Sequence, residues 1–385
     1  MSADKTILVL GGGVGGLVTS ALLRKKLPRQ HRIVLVEREA QHVFAPSLLW
    51  LITGGRTAEQ ISRPMERAGR KGLELVRGEI ERIEPEARRV TVSGSVLQGD
   101  YLVIALGAEL APELVPGLAD AGHNFYTLGG AERLRAALGE LTGGRVIILT
   151  ATPAYKCPAA PYEAAMLIAH NLRKRNLRER VQIEVYAAEA APMGVAGPEA
   201  SAGVREMVLE KGIGYHPEHQ VERVDPAARR LHFKGGAQVD FDLLAYVPPH
   251  RAPRVVRESG LLADSGWIAV DRNTLETRFP GVFAIGDVVS IPLKLGKPLP
   301  KAGVFAHGEA EVVAQNLVHA ITGKGKPQTY SGHGECFIET GDGKAGFGRG
   351  NFYAEPLPQV KMHAPGRHWH AAKVLFEKDW LRKWF

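Results

Sequence analysis

An apolar run, Thr6-Ile7-Leu8-Val9-Leu10, is followed at once by Gly11-Gly12-Gly13-Val14-Gly15-Gly16. The run has the pattern of a strand buried on both faces of a parallel sheet. Gly11, Gly13 and Gly16 satisfy G-x-G-x-x-G, and a helical segment follows with Leu17, Ala21 and Leu22 inward. Arg24, Lys25 and Lys26 close that segment, where cations complement the helix dipole. A second strand, Ile33-Val34-Leu35-Val36, ends in Glu37, 21 residues after Gly16. Each part has a physical reason. The glycines permit a tight turn and let the backbone approach a pyrophosphate, and the helix N-terminus offers free N–H groups to that anion. Glu37 can accept hydrogen bonds from an adenosine ribose. A glycine motif alone is weak evidence; with strand, helix and spaced acid it predicts a dinucleotide-binding βαβ unit.

The 385 residues allow two or three domains and ample core. Thr6 to Leu23 carries no charge, but the cluster of glycines at 11, 12, 13, 15 and 16 makes it a turn, not a membrane span. No other run approaches the ~20 apolar residues a span requires. Neither a transmembrane helix nor a cleaved signal peptide is expected. The formal net charge of +8 suits an anionic membrane surface or a small anionic substrate. Nucleic acid is not an expected partner: there is no recognition-helix pattern and no Lys/Arg block interleaved with aromatics. Two cysteines, Cys157 and Cys336, exclude a four-thiolate metal or iron–sulfur site by count, and no metal site is expected. From usage alone they are two buried thiols or one functional pair.

A second segment bears on the ligand. Thr277-Arg278-Phe279-Pro280-Gly281-Val282-Phe283-Ala284-Ile285-Gly286-Asp287 reads as a turn, a strand and a Gly-Asp end, followed by a helix over 302–317. This resembles the FAD-dependent disulfide-reductase superfamily. The resemblance implies FAD, with Gly286 and Asp287 at its ribityl–pyrophosphate part and the helix start at Gly303 facing the flavin. Gly107, after the strand 101–104, is placed with the cofactor-binding glycines.

The chain also repeats itself. Glu81-Arg82-Ile83-Glu84-Pro85-Glu86-Ala87-Arg88-Arg89-Val90 matches Glu222-Arg223-Val224-Asp225-Pro226-Ala227-Ala228-Arg229-Arg230-Leu231. Two copies of one dinucleotide-binding design explain this most simply. The counterpart of the first glycine turn is then 145–157. With Ile7 set against Ile147, the three glycines fall on Ala151, Pro153 and Lys156. Side chains and a missing N–H at these positions oppose pyrophosphate binding, so the second site is expected not to take NAD(P)H in the usual way. Such a flavoprotein needs another electron donor.

Cys157 stands in Lys156-Cys157-Pro158-Ala159-Ala160-Pro161-Tyr162-Glu163, where Lys156 and a helix start over 162–173 are expected to lower a thiol pKa. This segment, with Val247-Pro248-Pro249-His250, Pro300-Lys301-Ala302-Gly303-Val304, Cys336 and Ala372-Lys373-Val374-Leu375-Phe376-Glu377-Lys378, resembles the sulfide:quinone oxidoreductases over essentially the whole chain. The resemblance implies that Cys157 and Cys336 are a redox pair. Sulfide would be oxidised there to persulfide, polysulfide or sulfur, with electrons passed from reduced FAD to a membrane quinone. Lys373 and Phe376 match the motif near the quinone; Trp369 and Phe347, with Phe352 and Tyr353, are further candidates for that pocket. His250 is a candidate for proton transfer to quinone or a structural histidine. Glu163 is a proton shuttle near sulfur or a helix cap. Lys301 is a stabiliser of negative charge at the reduced flavin or an exposed lysine. The chain departs from the family in two places. His123–Thr127 lacks the third cysteine of many members, which bears on polysulfide growth. The loop His42–Ser47 lacks the cysteine that attaches FAD in flavocytochrome relatives, so FAD is expected to be non-covalent.

Trp369, Phe376, Trp380 and Trp384 are spaced by seven, four and four, with Lys373, Lys378, Arg382 and Lys383 among them. One aromatic face beside basic residues suits an interfacial helix on anionic lipid, or a helix packed on the core. The expectation is an α/β protein of two tandem Rossmann-like domains, the second degenerate, plus a C-terminal unit with an amphipathic membrane-interface helix. The FAD domain spans 1–112 and 267–322, the second domain 113–266 and the C-terminal unit 323–385. The enzyme would be a monotopic membrane protein, favouring the cytoplasmic face, and a homo-oligomer is worth expecting. Alternatives are a flavocytochrome-type sulfide dehydrogenase, a type II NADH:quinone oxidoreductase and a non-enzymatic flavin-bearing membrane protein.

Overall fold

The computed structural model describes residues 4–69 and 72–385. Strands β1 (Thr6–Leu10) and β2 (Arg32–Glu37) are joined by helix α1 (Val14–Lys26). They pair in parallel, Ile7 opposite Ile33 and Leu10 opposite Val36. Three more parallel strands complete the sheet, in the order 282–284, 101–104, 6–10, 32–37, 74–77. Ile7, Leu8, Val9 and Leu10 are at most 1% exposed. Burial on both faces is why this strand reads as an unbroken apolar run, without alternation.

The design recurs. Strands β3 (Gly144–Thr150) and β4 (Val181–Ala187) flank helix α2 (Ala160–Lys174) in a second five-stranded parallel sheet, ordered 123–124, 243–247, 144–150, 181–187, 214–216. Helix α2 starts earlier than 162 because Pro161 fits its first turn, where no backbone N–H is needed. The two repeated segments form the same antiparallel three-stranded unit. Ile83 faces Val90 in one and Val224 faces Leu231 in the other, each after a register shift at the corresponding place. Arg88 and Arg229 hold the same left-handed turn, φ 48° and 49°.

After 282–284, helix α3 (Gly303–Thr322) runs against α1. The chain ends in an antiparallel sheet of β5 (His333–Gly341), β6 (Lys344–Asn351) and β7 (Gln359–Gly366), followed by helix α4 (Arg367–Lys383). Helix α2 packs on β5, and α4 on β5 and β6, which brings Cys336, Glu163 and Lys373 toward one place.

Of the two readings of helix α4, interfacial or packed on the core, its tryptophans at 380 and 384 follow the second. Its inward face runs Lys373, Glu377, Trp380, with Trp384 just beyond the last turn, all at most 6% exposed. Phe376 stands at the outer edge, 44% exposed, and Trp369 stacks on Phe347. The aromatic spacing does not show that Lys373 and Glu377 are paired inside. Lys373 meets Glu163 and Glu377 meets Arg56, which rotates the tryptophans into the body. No helix among the described residues is long and apolar enough to cross a membrane.

Candidate active site

The glycine loop divides its labour. A Cβ on Gly11 (φ +99°) would come 2.5 Å from the Ala105 carbonyl oxygen, and one on Gly16 would overlap the Gly11 carbonyl. These two glycines let the loop pack on itself. Gly13, the N-cap of α1, is different: a Cβ there meets nothing within 4 Å. The same holds for Gly107 (φ +67°). The Glu37 carboxylate accepts from the Gly12 N–H at 2.5 Å and the Glu39 N–H at 2.7 Å, which holds it at the loop. Across the sheet, Gly286 (φ +76°) donates its N–H to buried Glu309 at 2.6 Å. Burial pushes the Glu309 carboxyl up to about 7. Burial also raises the Asp287 carboxyl, against the pull of Lys156 and Lys301. Gly303 opens α3 against Val14 of α1. Open space at Gly13 and Gly107, an acid at the loop and a helix N-terminus fit a dinucleotide.

Cys157 lies in the loop 151–159 with a left-handed backbone, φ 52°. Its N–H donates to the Lys301 carbonyl at 2.7 Å. The Tyr126 hydroxyl donates toward the Lys156 and Cys157 carbonyls at 2.9 and 3.2 Å. Lys301 turns its ammonium to the Asp287 and Val289 carbonyls, 2.7 and 2.8 Å, with Nζ 3.5 Å from the Trp267 ring centroid. The residue is therefore neither an exposed lysine nor a free one: it ties the cysteine loop to the Gly286–Asp287 segment. Burial lowers its ammonium to about 8.

Cys336, on β5, and Cys157 border the same apolar cluster, and Glu163 and Lys373 act on the ionisation of both. Both are half-buried free thiols. Lys373 Nζ donates to Glu163 at 2.7 Å, and the same carboxylate oxygen accepts the Glu339 N–H at 2.8 Å. Glu163 is thus an ion-pair partner rather than the cap of its own helix. Lys373 also lies over the Trp50 ring at 5.1 Å, and His370 donates to Glu339 at 3.0 Å. The expected low thiol pKa is corrected here. Burial and the Glu163 carboxylate push Cys157 up to about 12; Lys373 and the Ala160 N–H at the helix start pull the other way and are outweighed. Burial raises Cys336 as well.

His250 stands on the Cys157 side, not with the rings proposed for quinone. Its Nδ1 donates to the Pro248 carbonyl at 2.8 Å, its ring meets Tyr126 edge-on at 5.9 Å, and Nε2 is buried without a hydrogen bond. Burial and Lys156 lower it to about 4, so it is neutral at pH 7. Phe347, Trp369 and Phe376 do come together. Phe347 stacks on Trp369 at 4.4 Å, and Phe337 links Phe347 (5.1 Å) to Phe376 (6.5 Å). Phe352 and Tyr353 do not join them; they pack on Phe305 and Tyr330. Sequence reasoning missed Tyr126, Glu309, Trp50 and Phe337. Phe337 follows Cys336 directly and Glu309 is an acid within an apolar helix stripe, so both carried a signal; Tyr126 and Trp50 carried none.

The second glycine-turn counterpart is also refined. Helix α1 starts after 11–13, whereas α2 starts after 151–159, so Lys156 does not take the third glycine's place. The longer loop carries Tyr155, whose hydroxyl reaches back to the acid past β4. Glu189, just past β4 as Glu37 ends β2, accepts from Thr150 Oγ1 at 2.6 Å, from the Tyr162 hydroxyl at 2.7 Å and from the Tyr155 hydroxyl. The acid that would face a ribose is held by the protein's own tyrosines.

The sequence profile of the pyridine nucleotide-disulphide oxidoreductase family matches residues 5–310. The chain is 28% identical over 349 residues to the mitochondrial sulfide:quinone oxidoreductase of Dictyostelium discoideum, covering 87% of this chain and 75% of that one. It is 29% identical over 402 aligned positions to the sulfide-quinone reductase of Aquifex aeolicus, covering 98% and 91%. The crystal structure of the sulfide:quinone oxidoreductase from Aquifex aeolicus superposes with a TM-score of 0.89 at 26% identity, over 99% of this chain and 91% of that one. The likeness thus takes in the strand of Cys336 and helix α4 as well as both parallel sheets. The chain belongs to the pyridine nucleotide-disulphide oxidoreductase family, and is a homologue of the sulfide:quinone oxidoreductases.

Proposed function

We propose that this oxidoreductase oxidises sulfide at Cys157 and Cys336 and passes the electrons, through non-covalently held FAD, to a membrane quinone. The observation that carries the reading is that the chain's two cysteines, far apart in sequence, border one apolar cluster around the buried Glu163–Lys373 pair, with the Cys157 loop tied by Lys301 to the Gly286–Asp287 segment. FAD, when bound, supplies a two-electron acceptor for sulfur and a donor for quinone.

The chain's own residues bind, orient and handle charge. The open faces of Gly13 and Gly107 admit the dinucleotide, and the loop His42–Ser47 has no thiol to attach it. Attack of HS⁻ on a Cys157–Cys336 disulfide breaks the S–S bond; one cysteine becomes a persulfide and the other leaves as a thiolate. Lys373 favours the thiolate at both sulfurs, and Glu163 holds that ammonium in place. Neutral His250, with an unpartnered Nε2, is a proton acceptor on the Cys157 side. Phe347, Trp369 and Phe376 form the ring cluster for quinone. Leu375 and Phe376 are exposed on α4 near Lys378 and Arg382, which supports contact with an anionic lipid surface.

Anaerobic stopped-flow mixing tests this reading. Sulfide is expected to bleach the flavin absorbance and a water-soluble quinone to restore it, while NADH leaves it unchanged. Bleaching by NADH would overturn the reading in favour of an NADH:quinone oxidoreductase.

A further inference from the structure

Trp380, on the inward face of α4, donates its indole N–H to Nε2 of His42 at 3.1 Å. An indole nitrogen only donates, so Nε2 carries no proton and Nδ1 carries it. Nδ1 lies 3.2 Å from the carbonyl oxygen of Gly12 and donates to it. His42 is 8% exposed, and burial lowers its pKa to about 4, which keeps this tautomer neutral. The Phe385 ring, 4.9 Å from His42, closes the pocket. Gly12 is thereby held on both sides, its N–H by Glu37 and its carbonyl by His42. The next residue is Gly13, whose open face admits the ligand.

We propose that the C-terminal helix is part of the dinucleotide-binding apparatus: Trp380, acting through His42, sets the Gly12 carbonyl and pre-organises the glycine loop before the cofactor arrives. His42 and Trp380 are positioning residues. Neither has to touch the cofactor. The helix is independently pinned beside them, since Glu377 accepts from Ser47 at 2.7 Å and from Arg56 at 2.8 Å. A loop fixed in its binding conformation loses less freedom on binding.

The inference rests on the reading that FAD binds at this loop. It is tested by titrating apoprotein with FAD and following the quenching of flavin fluorescence, alongside thermal unfolding of each apoprotein. His42→Phe and Trp380→Phe keep a ring and remove the hydrogen bonds; each is expected to raise the Kd about 5- to 10-fold, the worth of one such bond. The double variant is expected to be no weaker than His42→Phe, because Trp380 acts through His42. Trp384→Phe, whose parent ring lies against His307 and Trp380, is expected to leave the Kd unchanged. His42→Gln, which can accept from Trp380 and donate to Gly12, is expected to stay within about threefold of wild type, and stands in if His42→Phe does not fold. Unchanged Kd in Trp380→Phe, multiplicative losses in the double variant, an equal loss in Trp384→Phe, or no rescue by His42→Gln would each overturn the inference. Wild-type protein that binds no FAD would instead remove the functional reading beneath it.

Discussion

Cys157→Ser and Cys336→Ser are each expected to slow sulfide-dependent bleaching of the bound flavin by on the order of 1,000-fold or more. A serine hydroxyl cannot form the disulfide that HS⁻ attacks, and it is a poor leaving group where a thiolate is a good one. Loss of either partner therefore removes the whole route, and the double variant is expected to be no worse than the singles. Dithionite supplies the control: it is expected to reduce the flavin at the wild-type rate in all three variants, which separates lost sulfur chemistry from lost cofactor. A double variant that sulfide still bleaches at full rate ends the proposal. The raised thiol pKa values add a second expectation for the wild type in its dithiol form. With Cys157 pushed up to about 12, its thiolate is scarce at pH 7, so iodoacetamide is expected to alkylate it more slowly than a free cysteine.

Lys373→Met is expected to destabilise the protein by about 3–5 kcal/mol, because it leaves a carboxylate buried without its cation. Glu163 and Lys373 are both under 5% exposed. In the wild type, burial raises the Glu163 carboxyl, with Lys373 and the Glu339 N–H opposing it. Burial pulls Lys373 down, and the Glu163 and Glu339 carboxylates more than offset this, so its pKa lies above the ordinary lysine value. Removing the ammonium raises Glu163 further. A carboxyl whose folded pKa exceeds its unfolded value of 4.5 gives up stability as pH rises through the folded value. The variant is therefore expected to lose stability, relative to wild type, between pH 5 and pH 8. Thermal and urea unfolding at the two pH values measures this. Glu163→Gln combined with Lys373→Met is expected to recover much of the loss and to abolish the added pH slope; a double variant as unstable as Lys373→Met would show that the pair is not the cause.

Much of the fold was legible because it depends on local pattern. The run at 6–10, the glycines that follow and the acid at 37 each report a backbone requirement within one βαβ unit. The match between 81–90 and 222–231 reports the duplicated meander for the same reason. The degenerate second turn was legible as a loss, but its extent was not. An ungapped alignment cannot show that the loop to α2 runs from 151 to 159, nor that Tyr155 and Tyr162 turn their hydroxyls onto Glu189.

The sequence by itself determined that a dinucleotide loop, a degenerate partner and two isolated thiols share one chain, since each is a matter of residue type and short spacing. Only the tertiary structure decided what those residues face. The inward side of α4 is set by where Glu163, Arg56 and His42 lie, all more than 200 residues away, and not by the helix's own aromatic spacing. The ionisation of the Cys157 thiol is decided likewise, because burial and the Glu163 carboxylate outweigh the pull of the helix start and of Lys373, which only the fold brings near. Desolvation and ion pairing depend on three-dimensional neighbours, and the cost of burying a charge leaves no periodic trace in the sequence.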